Sequence, residues 1–345
     1  MPIVGGLDIH RKQITFDYLD TESGELQRGK IAPADRVHLA GWLSEHFAGR
    51  SDVEFALEGC TGWRYVAEEL AAAGVGAHVA EPADTAALRG RRRHPKTDRT
   101  DSRHLRELLA GGRLPECWIP PAHVLECRAL LETYRDLRTE HTAWVQRIHA
   151  VFFHQGAAQL DADLRTEEGL AALRAVAARQ LSAAGQRQVA TALDMLAVLE
   201  GHLETLHRQL LDAARHLHGA RVLSAQLYGV GPITALALTC WLGGANRFSS
   251  TRKAVRFTGL DITVYSSAGK RSPGHLSRQG PAVLRWCLYE AGKTHARATA
   301  PDHAYYAQVK ERIDGKRAAL SEARKIVRQA THILTELGDA ALATT

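Results

Sequence analysis

Ile3-Val4-Gly5-Gly6-Leu7-Asp8-Ile9 is the stretch whose reading decides the fold of this 345-residue chain. It is an apolar run too short for a helix, and it ends on a carboxylate. That is the pattern of a buried strand delivering Asp8 to its carboxyl end. Ile14, Phe16 and Tyr18 alternate with polar residues as a second strand, and a Thr-Glu-Ser-Gly-Glu turn at 21–25 leads to a third near Leu26–Ile31. Asp35 can cap a helix with Val37, Leu39, Trp42 and Leu43 on its apolar side. Val53–Leu57 is a fourth strand ending at Glu58-Gly59-Cys60-Thr61-Gly62. A helix from Trp63 to Ala73 follows, and Gly76–Ala80 is a fifth strand.

Three strands, helix, strand, helix, strand is the order of a ribonuclease-H-like sheet, in which the first and fourth strands lie side by side. Asp8 and Glu58 then meet near the sheet centre. Further along, residues 89–104 read RGRRRHPKTDRTDSRH. Asp98 and Asp101, three apart, share one helix face. Taken alone they fit better the acidic first turn of a solvated helix. Packed across Asp8 and Glu58, they complete four carboxylates from three elements, which cannot all stay ionised without a counter-charge. Mg²⁺ (or Mn²⁺) supplies it, preferring a few carboxylates plus water and substrate phosphate. Two such ions can clamp the attacking and leaving oxygens of a phosphodiester.

The charge distribution points the same way. The net charge is +6. Thr85–Leu114 holds nine Lys and Arg against three acids, and Arg247–Arg285 eight against Asp261 alone, so the remainder is acidic overall. Basic charge concentrated in two blocks is the footprint of nucleic-acid binding, although such blocks also occur as plain solvated faces. Arg91, Arg92, Arg93, Lys96 and Arg99 in the first block, with Lys270, Arg271 and Arg278 in the second, are the candidate contacts. Five widely spaced cysteines without a CxxC pair argue against disulfides or a zinc site and for a reducing cytosol. Met1-Pro2-Ile3-Val4 lacks a signal-peptide pattern. The uncharged segment Val222–Asn246 is broken by Gly229, Gly231 and Pro232, so it reads as a loop and a buried helix with no membrane span. A cytoplasmic, nucleoid-associated bacterial protein is expected.

From Pro121 to Gln155 the period changes. Leu130, Tyr134, Leu137, His141, Trp144, Ile148 and Val151 form a heptad seam. Val189, Leu193, Leu196, Leu199, Leu203, Leu206 and Leu210 form a second, with a polar, Ala-rich connection between. This predicts long coiled-coil helices serving as an arm or a dimerisation element, with His141 packed or hydrogen-bonded in the seam. Gly229-Val230-Gly231-Pro232 ahead of a helix resembles half of a helix-hairpin-helix, in which free N–H groups at Gly229 and Gly231 face the DNA backbone. Val255, Phe257 and Leu260 fit a helix leading into Gly259. Tyr265-Ser266-Ser267-Ala268-Gly269-Lys270-Arg271 reads as an exposed loop, and Ser277-Arg278-Gln279-Gly280 opens the next helix. The last helices, near Ala304–Ile313 and Ala318–Leu337, show ordinary amphipathic spacing.

Gly6-Leu7-Asp8-Ile9, Glu58-Gly59-Cys60-Thr61-Gly62 and Lys96-Thr97-Asp98-Arg99-Thr100-Asp101 together resemble the DEDD (RuvC-like) domain of bridge-RNA-guided insertion-sequence transposases. Gly229–Pro232, Phe257-Thr258-Gly259-Leu260, Tyr265–Gly269 and Ser277–Gly280 with Leu284-Arg285 resemble their second, transposase domain. The resemblance covers nearly the whole chain. It implies an α/β metal-binding domain over 1–115, coiled-coil helices over 120–218 and a mainly α domain over 219–345. It also implies that Asp8, Glu58, Asp98 and Asp101 hold Mg²⁺ (or Mn²⁺). A serine of the 265–269 loop attacks the scissile phosphodiester and forms a covalent phosphoserine link to DNA, activated by metal held on an associated subunit. A non-coding guide RNA selects target and donor DNA, and the active form is a homodimer or homotetramer. Two departures stand out. The loop carries two serines before Ala268-Gly269, which favours Ser267 with Ser266 the alternative, and Cys60 adds a residue after Glu58-Gly59.

Two other readings remain open on the residues alone. A metal-dependent junction endonuclease could use water as nucleophile at the same carboxylates. A non-catalytic nucleic-acid-binding protein would need only the basic blocks.

Overall fold

The computed structural model describes residues 2–89, 97–158, 164, 166–263, 265–267, 270–272 and 274–344, with the backbone alone for 265–267 and 270–272. Two compact units divide the chain, Met1–Ile119 and Pro120–Thr345.

The first unit is a mixed α/β layer built on a five-stranded sheet. Its strands are β1 (Ile3–Ile9), β2 (Ile14–Asp20), β3 (Leu26–Ile31), β4 (Val53–Glu58) and β5 (Gly76–Ala80), in the order β3-β2-β1-β4-β5. β1 runs antiparallel to β2 and parallel to β4, and β4 is parallel to β5. The expected neighbours, first and fourth strands, therefore pair. Helices α1 (Arg36–Phe47) and α2 (Trp63–Ala72) are followed by α3 (Pro82–Leu88) and α4 (Asp98–Ala110).

Period-two alternation sorts the strand residues between two faces. Ile3, Leu7, Val53, Phe55 and Leu57 pack with Leu39 and Leu43 of α1 and Val66 and Leu70 of α2. Val4, Ala56 and Ala80 face the other way, against Leu105 and Leu109 of α4. The adjacent glycines of β1 serve one face each. A Cβ on Gly5 would lie 2.1 Å from the Phe55 ring, and one on Gly6 only 2.0 Å from the Ser102 carbonyl oxygen. Gly6 thus lets the backbone of α4 lie directly on the sheet.

The second unit is mostly helical. It comprises α5 (Ala122–His154), α6 (Glu167–Gln180), α7 (Ala183–His216), α8 (His218–Gln226), α9 (Pro232–Leu242) and α10 (Thr251–Phe257), then a hairpin of β6 (Tyr265–Ser267) and β7 (Lys270–Ser272). α11 (Ala282–Lys293), a 3₁₀ turn at Thr294–Ala296, α12 (His303–Arg312) and α13 (Gly315–Leu337) complete it, with a last 3₁₀ turn at Gly338–Leu342. Tyr134 meets His207, and His141 meets Glu200 at 3.2 Å, so α5 and α7 run antiparallel. The connection read as merely polar and Ala-rich contains α6, whose Leu173 and Ala177 pack with Ile148, Phe152, Val189 and Leu196. α9 is buried all round from Ala235 to Leu242, as a core helix should be. No helix among the described residues is long and apolar enough to cross a membrane.

Candidate functional site

The same alternation that buries the sheet aims its carboxylates. On β1, Val4, Gly6 and Asp8 share the face covered by α4; on β4, Ala56 and Glu58 share it. Gly6 pairs with Ala56 and Leu7 with Leu57, so Asp8 and Glu58 end two adjacent parallel strands on one face. α4 supplies the other two. Its cap is Thr97, whose side chain accepts from the Thr100 N–H while the Thr100 hydroxyl accepts from the Thr97 N–H. Because this reciprocal box serves the helix end, Asp98 and Asp101 stay inside the first turn with neither used as the cap. The four carboxylates open on one cleft of about 830 Å³, shared with His10, Thr61, Gly62 and Tyr65.

The electrostatics confirm the crowding. The Asp8 carboxyl is raised above its ordinary value, mainly by burial, and further by Asp101 and Asp98, while His10 pulls it down. Two side chains bridge the acids in pairs. Nε2 of His10 lies 2.9 Å from Asp8 and 3.3 Å from Asp98, and Arg89 donates to Asp101 at 2.6 Å and to Glu58 at 3.3 Å. Gln13 adds a hydrogen bond to Asp98 at 3.2 Å. Asp8, His10 and Asp98 place one ligand atom each within 4.8 Å of one another, a donor set a divalent cation fits.

A buried ion pair fixes the helix that carries half the site. Arg106, one turn beyond Ser102, donates to Asp17 of β2 at 2.5 Å, and Arg28 donates to the other oxygen at 2.6 Å. Asp17 is 1% exposed and Arg106 8%. Both are tied to the cluster through register, since Asp17 pairs with Gly6. Sequence reasoning missed His10, Arg89 and this pair. Asp17 alternates with Phe16 and Tyr18 and so reads as an outward, solvated position, whereas α4 buries it.

The basic candidates divide. Arg91, Arg92, Arg93 and Lys96 lie outside the described residues. Arg99 is exposed on α4 and borders a small pocket with Arg28 and Lys30. In the second unit, Gly231 is the N-cap of α9, with Pro232 in its first turn and open space where a Cβ would sit. Gly229 is instead packed, its absent Cβ 2.2 Å from the Thr294 hydroxyl.

The segment read as a serine loop is a hairpin. Tyr265 pairs with Ser272, Ser266 with Arg271 and Ser267 with Lys270. Its base is a longer ribbon, with Ile262 bridged to Leu276 and the Ser277 hydroxyl donating to Asp261. The two glycine motifs interlock there. A Cβ on Gly280 would lie 2.1 Å from the Phe257 carbonyl, and one on Gly259 2.7 Å from the Gln279 carbonyl. Exposed Arg278 sits at φ 53° beside them, its N–H bonded to the Gly259 carbonyl. Arg324 of α13 holds the Leu260 carbonyl at 2.7 Å.

Two family models match in succession. A transposase model of the DEDD type found in IS110 elements matches residues 5–153, and that of the IS116/IS110/IS902 transposase family matches residues 223–307. A putative transposase, y4rJ, of Sinorhizobium fredii is 29% identical over 289 residues, which is 78% of this chain and 72% of that protein. A probable family 20 transposase of Pseudomonas aeruginosa is 30% identical over 111 residues, 31% of each chain. A protein named histidinol dehydrogenase in Nitrobacter winogradskyi is 26% identical over 165 residues, 47% of this chain and 38% of that one. Both models and the longest of these matches agree: the chain is similar to IS110/IS116/IS902-family transposases, with a DEDD-type match over its N-terminal part and a match to that family's model further along.

Proposed function

We propose that the protein cuts and rejoins DNA strands as the recombinase of an insertion sequence, through a covalent phosphoserine intermediate. The observation that carries this reading is the convergence of Asp8, Glu58, Asp98 and Asp101 on one cleft. These residues would hold Mg²⁺ or Mn²⁺, with His10 and Arg89 beside them as the resident donors. The bound ion supplies Lewis-acid stabilisation of a phosphodiester and lowers the pKa of an attacking hydroxyl. Ser267 is the nucleophile. Its oxygen forms the bond to phosphorus and releases one sugar hydroxyl, so the bond energy is kept for a second transesterification that rejoins strands and restores the serine. Ser266, one residue earlier on the same strand, is the alternative. Basic residues from Arg91 to Arg99, with Lys270, Arg271 and Arg278, would neutralise DNA or RNA phosphates without reading bases. Sequence choice then rests on a non-coding guide RNA paired to target and donor. α5 and α7 would provide the surface for a homodimer or homotetramer.

The test is to incubate the protein, with the RNA that copurifies with it, with labelled element ends and Mg²⁺, and to resolve the products on a denaturing gel. A protein-linked strand lost in Ser267→Ala, and recombination lost in both Ser267→Ala and Asp98→Ala, is the expected result. Free ends carrying no protein would replace this reading with hydrolysis by water. A discrete copurifying RNA complementary to both element ends and insertion sites supports guidance, and heterogeneous or absent RNA overturns it.

A further inference from the structure

His295, Asp302 and Glu322 stand apart from everything used above. His295 lies in the 3₁₀ turn after α11, Asp302 is the N-cap of α12 and Glu322 is on α13, so three elements of the second unit meet there. His295 is 4% exposed and Glu322 0%. Both ring nitrogens of His295 and Oε2 of Glu322 are buried without a hydrogen-bond partner among the described residues. Native interiors leave few such atoms orphaned, and two of these, Nδ1 of His295 and Oε2 of Glu322, face each other.

Nδ1 of His295 lies 3.7 Å from Oε2 of Glu322, beyond hydrogen-bond length. Two ligands each about 2.1 Å from a tetrahedral ion are themselves about 3.4 Å apart. Asp302 completes the triangle, one ligand atom from each residue lying within 4.8 Å of the others. Lys325 neutralises part of the acidic charge from Oε1 of Glu322 at 3.4 Å and Asp302 at 3.6 Å. An ammonium group has no acceptor, and this one leaves Oε2 and the histidine unserved. It is part-exposed and rests 3.6 Å from the Tyr305 ring centroid, so it can move outward.

We propose that His295, Asp302 and Glu322 form a second metal site, for a first-row transition dication such as Zn²⁺ or Co²⁺. One imidazole with two carboxylates suits these ions, whereas Mg²⁺ and Ca²⁺ prefer oxygen alone. The bound ion would weld the 3₁₀ turn and α12 to α13. α13 also carries Arg324, which grips the Leu260 carbonyl at the base of the serine ribbon. The site therefore steadies the support of the hairpin and takes no part in the carboxylate cluster of the first unit.

The experiment uses the full chain carrying Asp8→Ala, His10→Ala, Asp98→Ala and Asp101→Ala, which dismantles the carboxylate cluster of the first unit and the other three-ligand group found among the described residues. The chelator-stripped protein is titrated with Co²⁺ and followed by visible d–d absorption, then back-titrated with Zn²⁺. The expected result is one equivalent of Co²⁺ displaced by Zn²⁺, with affinity at least tenfold weaker after Asp302→Asn or His295→Gln. No Co²⁺ uptake by the parent, or unchanged affinity in either folded variant, overturns the proposal. Asp302 is part-exposed, so Asp302→Asn decides alone, with circular dichroism as the folding check, if His295→Gln does not fold.

Discussion

The carboxylate cluster and the serine hairpin are supported in opposite ways. Asp8 and Glu58 end strands in the middle of a five-stranded sheet, and α4 is held on that sheet by Gly6 and by the Asp17–Arg106 pair. Ser267 ends a strand of three residues and pairs with Lys270 in a two-stranded sheet. Its support lies further down, where Gly259, Gly280 and Arg324 lock the ribbon base to the helices. Holding a dication needs several ligands fixed to within a fraction of an ångström, which only packed elements provide. A nucleophile, the role proposed for Ser267, needs one reactive atom and access to a polymer.

The comparison breaks first at the serine. Ser267→Ala is expected to reduce the covalent protein–DNA product by about a thousandfold or more, on the scale of removing a catalytic nucleophile. Ser266→Ala should leave it within about tenfold, and a gel assay of adduct formation reads both. Adduct retained in Ser267→Ala and lost in Ser266→Ala would shift the nucleophile by one residue.

The next largest effect tests the rigid side. Asp17→Ala leaves Arg106 buried with its main partner gone, a change that typically costs about 3–5 kcal/mol. Urea unfolding should show that loss, and Mg²⁺ affinity should fall with it, because α4 carries Asp98 and Asp101. Stability lost with metal affinity intact would separate the helix anchor from the site.

Gly6→Ala comes third. Its methyl would enter the space of the Ser102 carbonyl, and overpacking of this kind costs about 1–3 kcal/mol. The same change at Gly24, where a Cβ meets nothing within 4 Å but φ is +72°, controls for backbone strain alone. Equal losses at both positions would remove the argument for close helix approach.

Thr97→Ala is the smallest, about 1 kcal/mol for loss of a helix cap. Thermal unfolding reads it. Any larger drop in Mg²⁺ affinity than in stability would show that the cap also positions Asp98.

The same contrast explains what was legible beforehand. The succession of three strands, helix, strand, helix, strand is that of a ribonuclease-H-like sheet, so the pairing of the first and fourth strands and the meeting of Asp8 with Glu58 could be read from element order. α4 announced itself through two acids three apart. Arg89 could not be placed, because it follows α3, seven residues started by Pro82 and the Glu81 cap, too short to show a period. α6 was hidden by alanines, and its burial depends on Phe152 and Val189 far away in sequence. The hairpin was hidden too. Tyr-Ser-Ser and Lys-Arg-Ser have no apolar alternation, and their pairing is set by the ribbon beneath them.

Trapping the protein on labelled element ends with Mg²⁺, digesting the adduct and locating the attached nucleotide by mass spectrometry identifies the nucleophile. A nucleotide phosphoester on Ser267, formed by wild type and absent from Ser267→Ala, is the expected result. A nucleotide on a residue outside Tyr265–Ser267, or strand cleavage at wild-type rate with no attached nucleotide, would contradict it.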